Sequence, residues 1–232
     1  MGYRKVGFTD HVWVPENVAV SKFYKKQRGA KILELKEYIS SRQWEIEVLV
    51  GCEADMVAPG VFGMTSQFKD KVDYVVMASS HFHMKDYVAQ PENETPESLG
   101  QHMLNFFISA AESGIPDILV HPFFPFGYVG LYDKAIAGLS DSELFDAFSI
   151  AAENVVGIEI NRCYLPKPQA GRFFSLETPL RVLSIAKDAG CLFTLGSDSH
   201  NLEGFELLEK LQTLAASIGI SQEDIHPLAR ID

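Results

Sequence analysis

An α/β fold with a mainly parallel sheet, wound toward a barrel, is what this 232-residue sequence predicts. Three observations lead there. Six short apolar runs alternate with amphipathic segments of helical length, the mark of repeated β–α units. Neither G-x-G-x-x-G nor G-x-x-x-x-G-K-[ST] occurs, so the fingerprints of open nucleotide-binding sheets are missing. No repeat, low-complexity tract or linker divides the chain, so residues 1–232 are expected to form one domain.

Residues 6–8 open the series as a short strand, and residues 21–42 read as helical with an interruption at Gly29. Residues 45–50 alternate polar and apolar and then stay apolar, as a strand does, and residues 74–78 form the next strand. Thr95 and Pro96 supply an N-cap and a first helical position for a helix over 96–113. Its Leu99, Met103, Leu104, Phe107 and Ala110 share one face, and Gly114 ends it. A strand over 118–120, a helix over 142–153 and a strand over 156–160 follow. Thr178 is expected to cap a helix over 179–188, and a strand over 192–195 and a helix over 203–217 close the chain.

Composition narrows the function. Thirty-one acidic against 20 basic residues leave a net charge of −11, a surface that repels nucleic-acid backbones. Small phosphorylated ligands are not excluded, because a few cations in a pocket outweigh a negative exterior at short range. The three cysteines, Cys52, Cys163 and Cys191, lack C-x-x-C spacing and point to a reducing compartment. No apolar run reaches the roughly 18 residues of a membrane span, and no signal-type stretch follows Met1. A soluble cytoplasmic protein, with an oligomer possible, is the expectation.

The polar residues after each apolar run carry the functional signal. They are Thr9-Asp10-His11, Gly51-Cys52-Glu53, Ser79-Ser80-His81, His121-Pro122, Asn161-Arg162 and Gly196-Ser197-Asp198-Ser199-His200. In a parallel sheet the strand ends face one side, so these residues should converge. Imidazole and carboxylate suit zinc, manganese or iron(II), with no competing thiolate set. Asp198 and His200, two apart, fall on one side of an extended chain. The loop over residues 121–128 reads either as packing or as an apolar wall beside the site. Arg162 and Arg172 are candidate forks for phosphate oxygens.

Taken in order, Thr-Asp-His, Gly-x-Glu, Ser-x-His, His-Pro and Gly-Ser-Asp-x-His resemble the PHP (polymerase and histidinol phosphatase) superfamily, nearest to its histidinol-phosphatase-like phosphoesterases. The resemblance runs from Gly7 to His200. It implies a distorted (β/α)7 TIM-like barrel with one to three divalent ions, zinc, manganese or iron. By position, Glu53 would bridge two ions, with His81 and His121 completing one site, Asp198 on the other side, His11 and His200 on a third ion, and Asp10 orienting a ligand. It also implies hydrolysis of a small phosphomonoester by a metal-bridging hydroxide, the water being held through Glu53 and Asp198. The family's opening His-x-His strand has no counterpart, since residues 2–8 resemble its second strand. The barrel is therefore expected to lack its first strand and helix, leaving only the Glu53/His81/His121 set complete. Two alternatives stay open: a non-catalytic, partly metallated remnant with a binding role, and an amidohydrolase-type metal-dependent hydrolase.

Overall fold

Parallel strands joined by helices dominate the computed structural model, which describes residues 4–14, 26–167, 173–201 and 207–231. The strands are β1 (Lys5–Phe8), β2 (His11–Val12), β3 (Glu47–Val50), β4 (Cys52–Ala58), β5 (Val61–Phe62), β6 (Val75–Ala78), β7 (Ile118–Val120), β8 (Gly157–Asn161) and β9 (Phe193–Gly196). β1 and β2 are two pieces of one path, and β3 and β4 are two pieces of the next. A single register runs through both pairs, with Lys5 opposite Glu47 and His11 opposite Glu53. The main sheet then runs β2-β4-β6-β7-β8-β9, parallel throughout, while the short β5 returns antiparallel on β4.

This sequential order is that of a β/α barrel, but the sheet does not close. Among the described residues β2 and β9 are not paired with each other, and the outer side of β9 meets only a single bridge from Phe193 to Ile225. The described residues thus form an open parallel sheet in the strand order of a β/α barrel, and no closed barrel is seen among them. Closure requires a ladder between two strands far apart in sequence, which no local pattern specifies.

The sheet's two faces are divided by the period of two. Cys52, Ala54, Met56, Val75, Met77, Leu119, Ile158, Ile160 and Phe193 point into the large core. The helices are α1 (Gly29–Ser40), α2 (Ser66–Lys69), α3 (Pro96–Glu112), α4 (Tyr132–Ala137), α5 (Asp141–Glu153), α6 (Glu177–Asp188) and α7 (Leu208–Ser217), and α3, α5, α6 and α7 meet this face through Phe107, Phe148, Leu183 and Leu211 among others. The opposite face carries a smaller apolar cluster, Tyr74, Val76, Ala78, Ile118 and Val120, joined by Leu228 of the C-terminal segment. Glu53 and Asp55 stand opposite Val76 and Ala78, so they share this second face. The candidate ligand Glu53 is therefore on the side free of the helical layer.

Several local expectations change. The break at Gly51 does not end a strand, because the chain re-enters the sheet at Cys52, so Glu53 lies inside β4. Gly51 is needed there, since a Cβ would meet the Tyr74 carbonyl oxygen. Gly29 starts helix α1 (Gly29–Ser40) rather than interrupting it, and a Cβ there would overlap the Phe68 ring. Helix α5 begins at Asp141 behind a capping box of Ser140 and Glu143. Thr178 lies within α6 and gives its hydroxyl to Asp133, so it is no cap. Thr95 caps α3 as expected, accepting from the Ser98 N–H. Of the helix expected over 203–217, residues 203–206 lie outside the described residues, as do residues 21–25 of the first helical segment. No helix among the described residues is long and apolar enough to cross a membrane.

Candidate metal centre

Four side chains meet on the helix-free face: His11 from β2, Glu53 from β4, His81 three residues beyond β6 and His121 just beyond β7. The His11 Nε2 lies 3.9 Å from Glu53 Oε2. His81 Nε2 and His121 Nε2 lie 3.8 Å and 3.9 Å from Glu53 Oε1. These separations are too long for hydrogen bonds. They match the spacing of donors around one cation, which at bond lengths of 2.0–2.1 Å runs from roughly 3.4 Å between tetrahedral ligands to about 4.2 Å between opposed ones.

The far side of each ring is tied down. Asp55, fully buried, accepts from His11 Nδ1 at 2.9 Å and from His81 Nδ1 at 2.5 Å. An ionised carboxylate only accepts, so both Nδ1 atoms carry hydrogen, and each ring, once neutral, presents its lone pair at Nε2. Although Asp55 Oδ, His11 and His81 also form a compact donor group, their contacts are at hydrogen-bond distance and leave no room for an ion. The cation-sized gap belongs to Glu53, His81 and His121. His121 is held by Ser80, whose Oγ lies 2.9 Å from Nδ1 and 3.3 Å from the His121 carbonyl oxygen. When the Ser80 hydroxyl donates to that carbonyl, Nδ1–H donates to Ser80 and Nε2 is again the free donor atom.

The electrostatics fit a cation. Burial alone would lower the His11 pKa, but the Asp55 hydrogen bond and the charges of Glu53 and Asp55 outweigh it and raise it to about 9. His81 is raised against burial by Asp55 and Glu53. Burial favours the neutral forms of Glu53 and Asp55, yet the surrounding imidazoles draw both below the usual carboxylate range. His121, lacking a carboxylate on its Nδ1, is lowered by burial. Without an ion, the two carboxylates favour the protonated form of both the His11 and the His81 ring.

The remaining expected residues are less tightly gathered. Asp198 is partly exposed, and its Oδ2 lies 3.8 Å from Arg162 Nη2. The Arg162 Nε is buried without a hydrogen-bond partner. His200 is exposed and stands outside both donor groups, and Arg172 lies outside the described residues. Asp10 accepts from the His11 backbone N–H, fixing the turn that delivers that ring. Of the aromatic loop, Phe123, Phe124 and Tyr128 are core, while Phe126 packs its ring on His81, His83 and His121. His226, which follows no strand, is buried against Gly157.

Sequence reasoning missed Asp55 and Glu159. Asp55 follows Glu53 by two, and the alternation Cys-Glu-Ala-Asp was the available signal. Glu159 hides in the apolar run Gly-Ile-Glu-Ile; burial, with repulsion from Glu53 and Asp198, raises its carboxyl to about 8 despite hydrogen bonds from Asn161 and the His121 N–H. The backbone marks the same place. Four non-glycine residues among those described have positive φ, and three of them, His121 (37°), Phe123 (60°) and Asp198 (45°), follow β7 or β9. Strain of this kind gathers at functional sites.

No protein-family model and no curated protein matches the sequence. The fold is similar to a crystal structure of histidinol phosphate phosphatase from Lactococcus lactis subsp. lactis Il1403, complexed with zinc, L-histidinol and phosphate. The similarity has a TM-score of 0.55 and covers 95% of this chain and 84% of that one, at 14% identity.

Proposed function

We propose that this chain hydrolyses a small phosphomonoester with a divalent cation held by Glu53, His81 and His121. One observation carries the reading: three imidazole Nε2 atoms surround one carboxylate while their Nδ1 atoms are fixed by Asp55 and Ser80. The nitrogen and oxygen donors suit zinc, manganese or iron(II). The zinc, L-histidinol and phosphate of the lactococcal enzyme, which has a similar fold, support the same chemistry. When bound, such an ion polarises a phosphoryl oxygen and lowers the pKa of a coordinated water.

The chain's own residues supply the rest. Glu53 turns Oε1 toward His81 and His121 and Oε2 toward His11, so its carboxylate is disposed to serve two neighbouring cations. Asp55 keeps two rings in one tautomer and one orientation. Arg162, steadied by Asp198, offers its guanidinium to the phosphoryl oxygens. Arg172 is carried as a second anion-binding residue on sequence grounds. Phe126 covers the His81 and His121 rings and excludes water from that side.

The test is turnover of p-nitrophenyl phosphate and a panel of small phosphomonoesters by protein loaded with zinc, manganese or iron(II). Glu53→Ala and His121→Ala should each lower kcat/KM by more than the roughly 10–100-fold that loss of an outer-shell partner costs. Activity indifferent to both substitutions contradicts the proposal. A bound cation without turnover of any phosphomonoester assigns the site a binding role instead.

A further inference from the structure

Glu159 takes no part in the reaction proposed above, yet three strand ends close around its carboxyl. From β7, the His121 backbone N–H donates to Glu159 Oε2 at 3.1 Å. From β8, Asn161 Nδ2 donates to the same oxygen at 2.8 Å, while Asn161 Oδ1 accepts from the Cys163 N–H at 2.8 Å. From β9, Gly196 lies flat against the carboxyl, where any Cβ would overlap Oε1. The side chain is only 9% exposed.

His121 needs such a partner. Its φ of 37° lies in the left-handed region, which a residue bearing a Cβ avoids because the Cβ crowds the following carbonyl. Its peptide is gripped at both ends: the N–H by Glu159, and the carbonyl by Ser80 Oγ and the Phe124 N–H. The backbone conformation in turn sets the Cα–Cβ direction, and so the point at which Nε2 meets Glu53.

We infer that Glu159 is a positioning residue: by accepting the His121 N–H it holds His121 in its left-handed conformation and aims the ring at the cation. Asn161 fixes the accepting oxygen, and Gly196 leaves the space it occupies. The inference rests on the reading that His121 is a cation ligand.

Wild type, Glu159→Ala, Glu159→Asp and Glu159→Gln would be titrated with Zn2+ against a chromophoric chelator, with Co2+ absorption as a second probe and circular dichroism to verify folding. Glu159→Ala should weaken Zn2+ binding roughly 10–100-fold, the usual cost of an outer-shell partner, and alter the cobalt spectrum. Glu159→Asp, whose carboxylate is one methylene short of the N–H, should do the same, which covers the case in which the alanine variant does not fold. Glu159→Gln keeps an acceptor oxygen in place and should restore both readouts. A merely structural role predicts lowered thermal stability with unchanged Zn2+ affinity and cobalt spectrum in the folded variants, and that result overturns the inference. If wild type binds no Zn2+, the cation reading fails separately. The side-chain 15N shifts of His121 in metal-free protein then decide whether Glu159 positions the ring: they should move in Glu159→Ala and not in Glu159→Gln, and no movement in either overturns the inference.

Discussion

Both ends of the parallel sheet carry acidic residues, and they differ in how those charges are matched. At the strand N-termini two aspartates each have one backbone donor and one lysine. Asp73 accepts from the Val50 N–H and pairs with Lys36 at 2.8 Å; Asp117 accepts from the Val75 N–H and pairs with Lys69 at 2.9 Å. At the C-terminal end, Glu53, Asp55, Glu159 and Asp198 crowd around three imidazoles and one guanidinium, and three residues bend into the left-handed region. The first arrangement is locally neutral and relaxed. The second is neutral only with added protons or a cation, and its backbone is strained. The charge-matched end and the candidate metal centre are thus separated along the strand direction, as parallel α/β folds favour.

Breaking the crowded end should have the largest effect. Asp55→Ala removes the acceptor of the buried His81 Nδ1–H and the half-buried His11 Nδ1–H and should cost about 3–5 kcal/mol of folding stability in metal-free protein, read by urea denaturation, together with a large loss of Zn2+ affinity. A cost under about 1 kcal/mol would mean that Asp55 does not bear on the two rings as its hydrogen bonds indicate.

The pH dependence sharpens the same contrast. His11, raised to about 9, contributes stability that is complete below its ordinary value of 6.5 and lost as pH rises through about 9. Glu159, raised to about 8, acts in the same direction, its contribution being lost between its ordinary value of 4.5 and about 8. Glu53 and Asp55, held low, have finished titrating by pH 6.5 and do not counter this trend. Metal-free protein should therefore melt at lower temperature at pH 9 than at pH 6.5. Zn2+ displaces the imidazole protons, so the melting-temperature gain on adding it should grow over the same interval. A Zn2+ gain that shrinks with rising pH would contradict a cation-free state in which His11 and His81 hold protons.

Smaller effects are expected away from the centre. Helices α3, α6 and α7 are each followed by a left-handed glycine, Gly114, Gly190 and Gly219, but α5 is followed by Val155 at φ 57°. Val155 is 64% exposed, so little packing is lost on its removal. Relief of the left-handed penalty, roughly 1–2 kcal/mol, exceeds the unfolded-state entropy of glycine, about 0.4–1 kcal/mol. Val155→Gly should therefore raise the urea midpoint. Smallest of all, Lys69→Met at the neutral end should cost about 0–1 kcal/mol and leave Zn2+ affinity untouched. A change in affinity there would show that the two ends are coupled.

Much of this division is legible in the sequence. The β–α alternation, the Thr95–Pro96 helix start and the placement of His81 and His121 beyond apolar runs all follow from local pattern. Glu53 stands out in the sequence for a partly mistaken reason: Gly51 looks like a strand end, but it only lets Tyr74 approach while the strand continues. Asp55 and Glu159 escape because each lies within a strand, where an acidic residue among apolar ones signals its role only once the face it occupies is known. The position of His200 outside the cluster and the left-handed turn at His121 depend on contacts between distant segments, which periodicity does not encode.

The most direct test is a crystal of this protein grown with zinc and measured on both sides of the zinc absorption edge. The expected result is an anomalous peak bonded to Glu53 Oε1, His81 Nε2 and His121 Nε2, with Asp55 still bridging the two Nδ1 atoms of His11 and His81. Zinc bound only elsewhere, with the three Nε2 atoms turned away from Glu53, would contradict a cation centre on that carboxylate.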